Sequence, residues 1–558
     1  MTNKQISRNF SLLADLMDIH GDNAFRSKSY SIAAYNIDRL DVDLADIDPP
    51  KLATVKGIGD AVAKKITELL TTGTMQALHE YYAKTPLGVV DMLNIKGLGP
   101  KKIQVIWQEL EIENLGELLY ACNENRLTLY KGFGEKTQTK IKDGIEFYMR
   151  NLGSYLFAQI EEYAEKTDEN LKQIFKDAAI HITGNYRMHA LTLSKLEWVT
   201  SATKATLKTF FTQQEFATIN NEEDYISFKN ETENVELGFY ITTADHLAKK
   251  LFETSCSIEF FNKWNSLFPT WSSINYTKEE DVFAQQNITY IEPFARETEA
   301  TIELARQAAL PTVIEFGDIK GIIHNHSKWS DGNQTIEVMA KEAKRLGYKY
   351  LVMSDHSKTA TYASGLDVER VLAQQQQIDE INTTLKDFKV FKSIESDILS
   401  DGSLDYGKEI LQTFDLVIAS VHSNLHMSED KAMTRLLKAI ENPYTNILGH
   451  PTGRLLLSRN GYPINHEKII DACAANNVVL ELNANPRRLD VDFRWIQYAV
   501  KKNVLISIDP DAHDIAAFGH IKYGVIAAQK GLLTKQQNLS SFTLQQFEDW
   551  IKQQHEKR

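Results

Sequence analysis

The sequence predicts a multidomain protein: an α-helical N-terminal region, a mixed α+β middle, and a C-terminal parallel sheet closed into an α/β barrel. A chain of 558 residues is too long for one hydrophobic core, so three or four domains are expected. Three observations carry the reading. Glycine turns recur within residues 1–150, strands and helices mix over 151–315, and strand-like and helical runs then alternate regularly. An open doubly wound sheet is the alternative for that last region.

Composition narrows the class. Apolar (43%) and charged (25%) fractions are ordinary for a soluble globular protein. A net charge of −13 argues against a globally basic nucleic-acid binder but leaves room for a local basic surface. Cys122, Cys256 and Cys473 form no CxxC, which fits a reducing cytosol. The N-terminal stretch MTNKQISRNFSLLADLMDIHGDN is amphipathic and soon acidic, unlike a secretory signal. No apolar run reaches about 18 residues. A cytoplasmic protein with no membrane partner is expected.

Residues 1–150 contain 19 basic and 20 acidic residues, yet the lysines cluster around VKGIGDAVAKKI, IKGLGPKKIQVI and YKGFGEKTQTKI. In each unit a hydrophobic-Lys-Gly-hydrophobic-Gly turn opens a helix. Gly57 and Gly59, Gly97 and Gly99, and Gly132 and Gly134 let backbone N–H groups approach a phosphate, whose charge a helix N-terminus favours. One such unit could be a plain packing turn; three, each with lysines and a helix, point to DNA-backbone contact. They resemble helix-hairpin-helix motifs, which hold DNA without reading its sequence.

In the middle region the strand-like runs are AAIHITG, SKLEWVTSA and NVELGFYIT. Further on, IKGIIHNH, KYLVMSDH, FKVFKSIESD, FDLVIASVH, NILGHP, NVVLELN and NVLISIDPDAH alternate with helical stretches such as TIEVMAKEAKRLG. Chemistry in α/β barrels sits at the C-terminal ends of the strands. Those ends carry His324, His326, Asp355, His356, Glu395, His422, His450, Asp511 and His513. Residues i and i+2 of a strand point the same way, so His324/His326 and Asp511/His513 are each expected to grip one ion from one side. Six of the chain's 15 histidines fall at these ends, beside three carboxylates. That mix suits zinc, manganese or iron, and nine ligands suffice for two or three ions. Such clusters suit phosphate-ester hydrolysis, in which the ions activate water and hold phosphoryl oxygens.

HNHSKWSDG, MSDHS, SIESDILSDGSLD, ASVHS, GHPTGR, ELNANPRRLD and DPDAH together resemble the polymerase-and-histidinol-phosphatase (PHP) domain. The resemblance implies a distorted seven-stranded barrel, a trinuclear metal site and metal-dependent phosphoesterase activity. Position by position, it implies the ligands His324, His326, Asp331, His356, Glu395, His422, His450, Asp511 and His513. Arg454 in GHPTGR and Arg487 in NANPRR are the candidates for holding substrate phosphate, a fork-shaped task that favours arginine over lysine. A surface salt bridge is the other use of either.

The order of parts resembles the bacterial family X DNA polymerases, with hairpins first, a nucleotidyltransferase palm next and a PHP domain last. The segment EEDVFAQQNITYIEPFARETEATIELARQAALPTVIEFGDIKG resembles that family's linker. The expected boundaries are a lyase-like helix-hairpin-helix domain at 1–85, a fingers-like hairpin region at 86–150, the palm, thumb and linker at 151–314, and the PHP domain at 315–558. Lys65 falls where the family has a lysine that forms a Schiff base with an abasic sugar. A neighbouring lysine position of that pocket is Ala61, and a surface lysine is the favoured reading.

The palm departs from the family pattern of Gly-Ser, an arginine pair, Asp-x-Asp and a later aspartate. Here the segment reads GNYRMHALTLSKLEWV. Gly184 precedes Asn185, Arg187 alone remains of the pair beside Met188, Lys195-Leu196-Glu197 fills the Asp-x-Asp slot, and Glu236 replaces the last aspartate. Two-metal nucleotidyl transfer needs clustered carboxylates, and a lysine puts positive charge where the cation should bind. Magnesium-dependent polymerisation is therefore not expected, and the palm reads as a scaffold or DNA clamp. A polymerase using the substitute residues is the alternative.

The expected function is a DNA-binding, metal-dependent phosphoesterase of repair, acting on gapped, nicked or 3′-end substrates as a 3′→5′ exonuclease or 3′-phosphatase. A monomer is expected. A phosphatase for a small molecule such as histidinol phosphate, and a DNA-end-binding scaffold, are the rival readings.

Overall fold

A computed structural model describes residues 1–40, 42–150, 153–230 and 235–558. The chain divides into two compact units, Met1–Tyr148 and Met149–Arg558. In the first, helix Asn3–Ile19 begins on a capping box between Thr2 and Gln5. It packs Ile6, Phe10, Leu13 and Met17, at helical spacing, against Tyr30, Ala33 and Ile37 of helix Ala24–Asp38.

Each glycine unit forms the expected turn, opening helices Asp60–Thr72, Pro100–Gln108 and Glu135–Arg150. The first glycines have φ of +87°, +96° and +95° at Gly57, Gly97 and Gly132, a left-handed backbone that glycine adopts without penalty. Between the glycines, Ile58, Leu98 and Phe133 are buried, while both glycines of every pair are exposed. The inward residue pins the turn to the core and leaves its backbone facing out.

The second unit opens with a five-stranded sheet in the order Ile180–Thr183, Lys195–Thr200, Glu236–Ile241, Tyr225–Lys229, Ala217–Asn221. The second and third strands of that order are parallel, and the other neighbours are antiparallel. Trp198, Phe211, Phe228 and Phe239 fill its core. A helical segment follows with its own aromatic core of Phe252, Phe260, Trp264, Trp271 and Phe283.

Seven parallel strands then run in sequential order: Gly321–Ile322, Tyr350–Met353, Lys389–Asp397, Leu416–Ser420, Ile447–Leu448, Val479–Asn483 and Ile506–Asp509. His326 N donates to Ala512 O at 2.9 Å, and Ala512 N donates to His324 O at 3.2 Å, which bridges the first strand to the last. Sequential order with this closure excludes the doubly wound alternative, which needs a reversal of strand order.

Side chains alternate in and out along each strand. Tyr350, Val352, Phe391, Ile418, Ile447 and Val479 form the apolar interior, sealed below by Phe547, Trp550 and Ile551 of helix Leu544–His555. Leu351, Met353, Val390 and Leu480 face the outer helices. Further along the inward rows the residues turn polar, with Glu395, Asp397, Glu481 and Asp509 all buried.

Candidate metal centre

The polar rows end in a cluster of imidazoles and carboxylates. Backbone geometry sets it up: φ is +61° at His324, +22° at His450 and +51° at Asp511, so the extended pleat breaks where these side chains emerge. Three sets of ligand atoms lie within 4.8 Å of one another: His326, Asp331, His356 and His513; His324, His326 and Asp511; and His356, Glu395 and His422. His326 and His356 each belong to two sets. Glu395 sits at the middle, its Oε1 3.1 Å from His324 Nε2, 3.1 Å from His422 Nε2 and 3.0 Å from His450 Nε2. Its Oε2 is 2.9 Å from His356 Nδ1 and 3.7 Å from His326 Nε2. All nine residues that the resemblance implied are thus brought together.

One expectation needs correction. Asp511 and His513 fall in different sets: both lie beyond the last strand, which ends at Asp509, so the strand's i and i+2 rule does not govern them. Asp355, a strand-end carboxylate, serves the loop before it. It accepts hydrogen bonds from Ser327 N (2.7 Å), Ser327 Oγ (2.8 Å), Ser330 N (3.1 Å), Ser330 Oγ (2.5 Å) and Gln374 Nε2 (2.6 Å), and so fixes the segment that carries Asp331.

The residues fit divalent cations. His324 Nε2, His326 Nδ1, both ring nitrogens of His356, and Glu395 Oε2 are buried with no hydrogen-bond partner among the described residues. Oxygens and nitrogens face each other at 2.9–3.7 Å without hydrogen-bond geometry. Neighbouring ligands of one ion are spaced by about 3 Å when the metal–ligand distance is about 2.1 Å. Unpaired buried donors and acceptors are costly, and a shared cation satisfies them.

A further layer orients the ligands. His324 Nδ1 is 2.5 Å from Glu481 Oε1, His422 Nδ1 is 2.5 Å from Asp397 Oδ1, and Asn483 Nδ2 donates to Asp511 Oδ2 at 3.1 Å. A carboxylate on Nδ1 keeps the proton there and turns Nε2 towards the cluster. Burial lowers the pKa of His324, but Glu481, Glu395 and Asp511 outweigh it and hold that pKa well above the usual imidazole value. His450 is pushed down to about 3 by burial and by the charge of Arg488. Burial raises Glu395, but His422, His324 and His356 bring it well below the usual carboxylate range. Glu481 and Asp397 were not among the sequence candidates, although an acid within the apolar run VVLELN is itself a signal.

The arginines divide differently from expectation. Arg454 Nε donates to Arg488 O at 2.9 Å, Nη1 pairs with Asp492 and Nη2 donates to Leu489 O. All three nitrogens are committed to the 488–492 loop, so its contacts lend no support to a phosphate role. Arg487 is buried, and its neighbour Arg488 places Nε 3.8 Å from Asp511 Oδ2, beside the cluster.

In the five-stranded sheet, Lys195 Nζ lies 2.7 Å from Glu197 Oε1 and 3.3 Å from Tyr225 OH, and Tyr240 OH donates to Glu197 at 2.9 Å. Gly184 packs directly on the Glu197 carboxylate, where even a Cβ would clash. Asn220 Nδ2 donates to Glu236 at 3.2 Å. Arg187 forms a two-pronged pair with Glu279 at 2.9 and 2.6 Å, and Arg296 adds a third contact at 2.6 Å. In the first unit Lys65 is half-buried on its helix. A Cβ at Gly59, Gly97, Gly99, Gly132 or Gly134 would meet nothing within 4 Å.

Comparison with known proteins agrees with this layout. Family models match as a helix-hairpin-helix domain over residues 1–75, a SAM-like helix-hairpin-helix tandem over 89–146 and a PHP domain over 323–485. The protein named DNA polymerase/3′-5′ exonuclease PolX of Bacillus subtilis is 29% identical over 99% of this chain and all of its own length. The chain is a homologue of that protein along nearly its whole length, with helix-hairpin-helix and PHP domains in the same chain.

Shorter proteins named as phosphatases also match part of the chain. A protein named probable phosphatase of Syntrophotalea carbinolica is 30% identical over 36% of this chain and 83% of its own length. Another of that name from Thermoanaerobacter sp. is 28% identical over 32% of this chain and 72% of its own. With its PHP domain, the chain is a metal-dependent phosphoric ester hydrolase. Among the described residues no helix is long and apolar enough to cross a membrane.

Proposed function

We propose that this protein is a DNA-binding 3′-end hydrolase of repair, acting as a 3′→5′ exonuclease or 3′-phosphatase, in which polymerase chemistry has been lost. One contrast carries the reading. The barrel gathers nine imidazole and carboxylate side chains, Glu395 at their middle, whereas the Lys195–Glu197 ion pair stands where the palm would need a cation. The relative in Bacillus subtilis, named for both activities, supports DNA as the substrate class.

Two or three zinc, manganese or iron ions would be held by His324, His326, Asp331, His356, Glu395, His422, His450, Asp511 and His513. When bound, such ions act as Lewis acids on phosphoryl oxygens and make water nucleophilic at neutral pH. Around them, Glu481 and Asp397 hold His324 and His422 in orientation, Asp355 fixes the Asp331 loop, and Arg487 and Arg488 offer positive charge to the phosphate. The exposed glycine turns at Gly57–Gly59, Gly97–Gly99 and Gly132–Gly134 hold the DNA backbone. Domain boundaries near 85, 150 and 314 accompany this reading.

Shortening of a 5′-labelled oligonucleotide, abolished in His324→Ala and His422→Ala, tests it; undiminished shortening in both variants overturns it. The relatives named probable phosphatase favour a second reading, hydrolysis of a small phosphate monoester. Faster turnover of histidinol phosphate than of oligonucleotides would select that reading.

A further inference from the structure

The loop after the fifth barrel strand carries a residue that neither folding nor the metal centre accounts for. Leu457 is 40% exposed and has φ of +60°. An L-residue resists this left-handed conformation, which glycine or asparagine adopts more readily. Leucine here adds strain and exposes apolar surface, while contributing little to the core.

The loop beneath it is tightly built. Leu455 and Arg459 exchange backbone hydrogen bonds of 2.9 and 2.8 Å, and Arg459 Nη2 donates to Gly453 O at 2.8 Å. The loop is tied to the metal centre from two sides. Gly453 N donates to the carbonyl of the candidate ligand His450 at 3.0 Å, and Leu456 N donates to Arg487 O at 2.5 Å. Arg454 and Arg459 brace the loop from within, which leaves Arg487 and Arg488, adjoining it, as the positive charge for a phosphate. Guanidinium groups draw a phosphate backbone, and an apolar side chain among them is suited to entering a base stack.

We propose that Leu457 is an unpairing wedge: with the 3′ end of a duplex at the metal centre, its side chain enters the stack at the terminal base pair and frees the last nucleotide for hydrolysis. The proposal rests on the reading of the chain as a DNA 3′-end hydrolase. Removing the wedge slows hydrolysis of a paired end and leaves an unpaired end unaffected, because only the paired end must be opened.

The test compares full-length wild type, Leu457→Gly and Leu457→Met, in Mn²⁺, on one labelled strand presented three ways: alone, fully paired, and with a mismatched 3′-terminal base. Glycine relieves the left-handed backbone, so Leu457→Gly folds with an unchanged or higher melting temperature. Leu457→Gly should retain the single-strand rate, lose about tenfold on the paired end, and recover on the mismatched end. Leu457→Met should behave as wild type. An equal loss on single and paired strands, or no loss on paired ends, overturns the wedge while leaving the hydrolase reading intact. If wild type shortens none of the substrates, the hydrolase reading fails and the wedge with it.

Discussion

His324 Nδ1 stands 2.5 Å from Glu481 Oε1, and neither side chain reaches solvent. The carboxylate belongs to the inward row of the sixth barrel strand and its other oxygen accepts from His450 N, so one acid orients two candidate ligands. Glu481→Gln keeps the shape and removes the charge. It should weaken metal binding by about 10–100-fold with little change in fold. Chelator competition on the full-length protein measures this, and an unchanged affinity would show that Glu481 has no part in holding the ligands.

The Arg187–Glu279–Arg296 network makes a pH prediction away from the metal centre. Burial raises the Glu279 pKa, but hydrogen bonds and charge from Arg187 and Arg296 dominate and bring it from 4.5 to about 2. Between those values the unfolded chain carries the proton and the folded chain does not. The stabilisation is therefore complete above the unfolded value and is lost as pH falls through the folded one, in total about 3 kcal/mol. Denaturant midpoints taken from pH 6 down to pH 3 should show this slope, and Glu279→Gln should flatten it while lowering stability by about 3 kcal/mol at neutral pH. An unchanged slope in the variant would rule out this origin.

The glycine turns permit a separation of folding from DNA binding. Gly99 has φ of −100°, and a Cβ there meets nothing within 4 Å. Gly99→Ala should leave stability unchanged or raise it by about 0.4–1 kcal/mol. Duplex affinity should nevertheless fall several-fold, because the added methyl keeps the phosphate from the backbone. Gly97→Ala, at φ +96°, should lose stability as well. Equal duplex affinity for wild type and Gly99→Ala, measured at one salt concentration, would remove this turn from the DNA interface.

Lys65 has a simpler test. Borohydride trapping on abasic DNA is expected to be absent, in keeping with a surface lysine. Trapping that disappears in Lys65→Ala would instead establish Schiff-base chemistry there.

The elements legible in the sequence were those with a period. Ile58, Leu98 and Phe133 recur between paired glycines, and the barrel strands carry inward and outward rows such as Tyr350/Val352 and Leu351/Met353. Imidazoles and carboxylates at successive strand ends are legible for the same reason. The way they group is not, since φ reversals at His324, His450 and Asp511 depend on barrel closure rather than on local pattern. Arg187 meets Glu279, 92 residues away, and no spacing rule reaches that far. Glu481 was readable in principle, because a carboxylate inside an apolar strand must have a partner.

The proposed function requires a working hydrolase centre and no working polymerase centre. Lys195 Nζ lies 2.7 Å from Glu197 Oε1 in the five-stranded sheet, while Glu395 lies within 3.1 Å of His324, His422 and His450 in the barrel. The most direct measurement is a nuclease and primer-extension assay on one 5′-labelled primer–template, run in parallel with Mn²⁺, Zn²⁺ and Mg²⁺, with and without deoxynucleotides. The primer should shorten, should not lengthen when nucleotides are added, and should stay intact with His324→Ala or His422→Ala. Robust extension with Mg²⁺ or Mn²⁺, or shortening that persists in both variants, would contradict it.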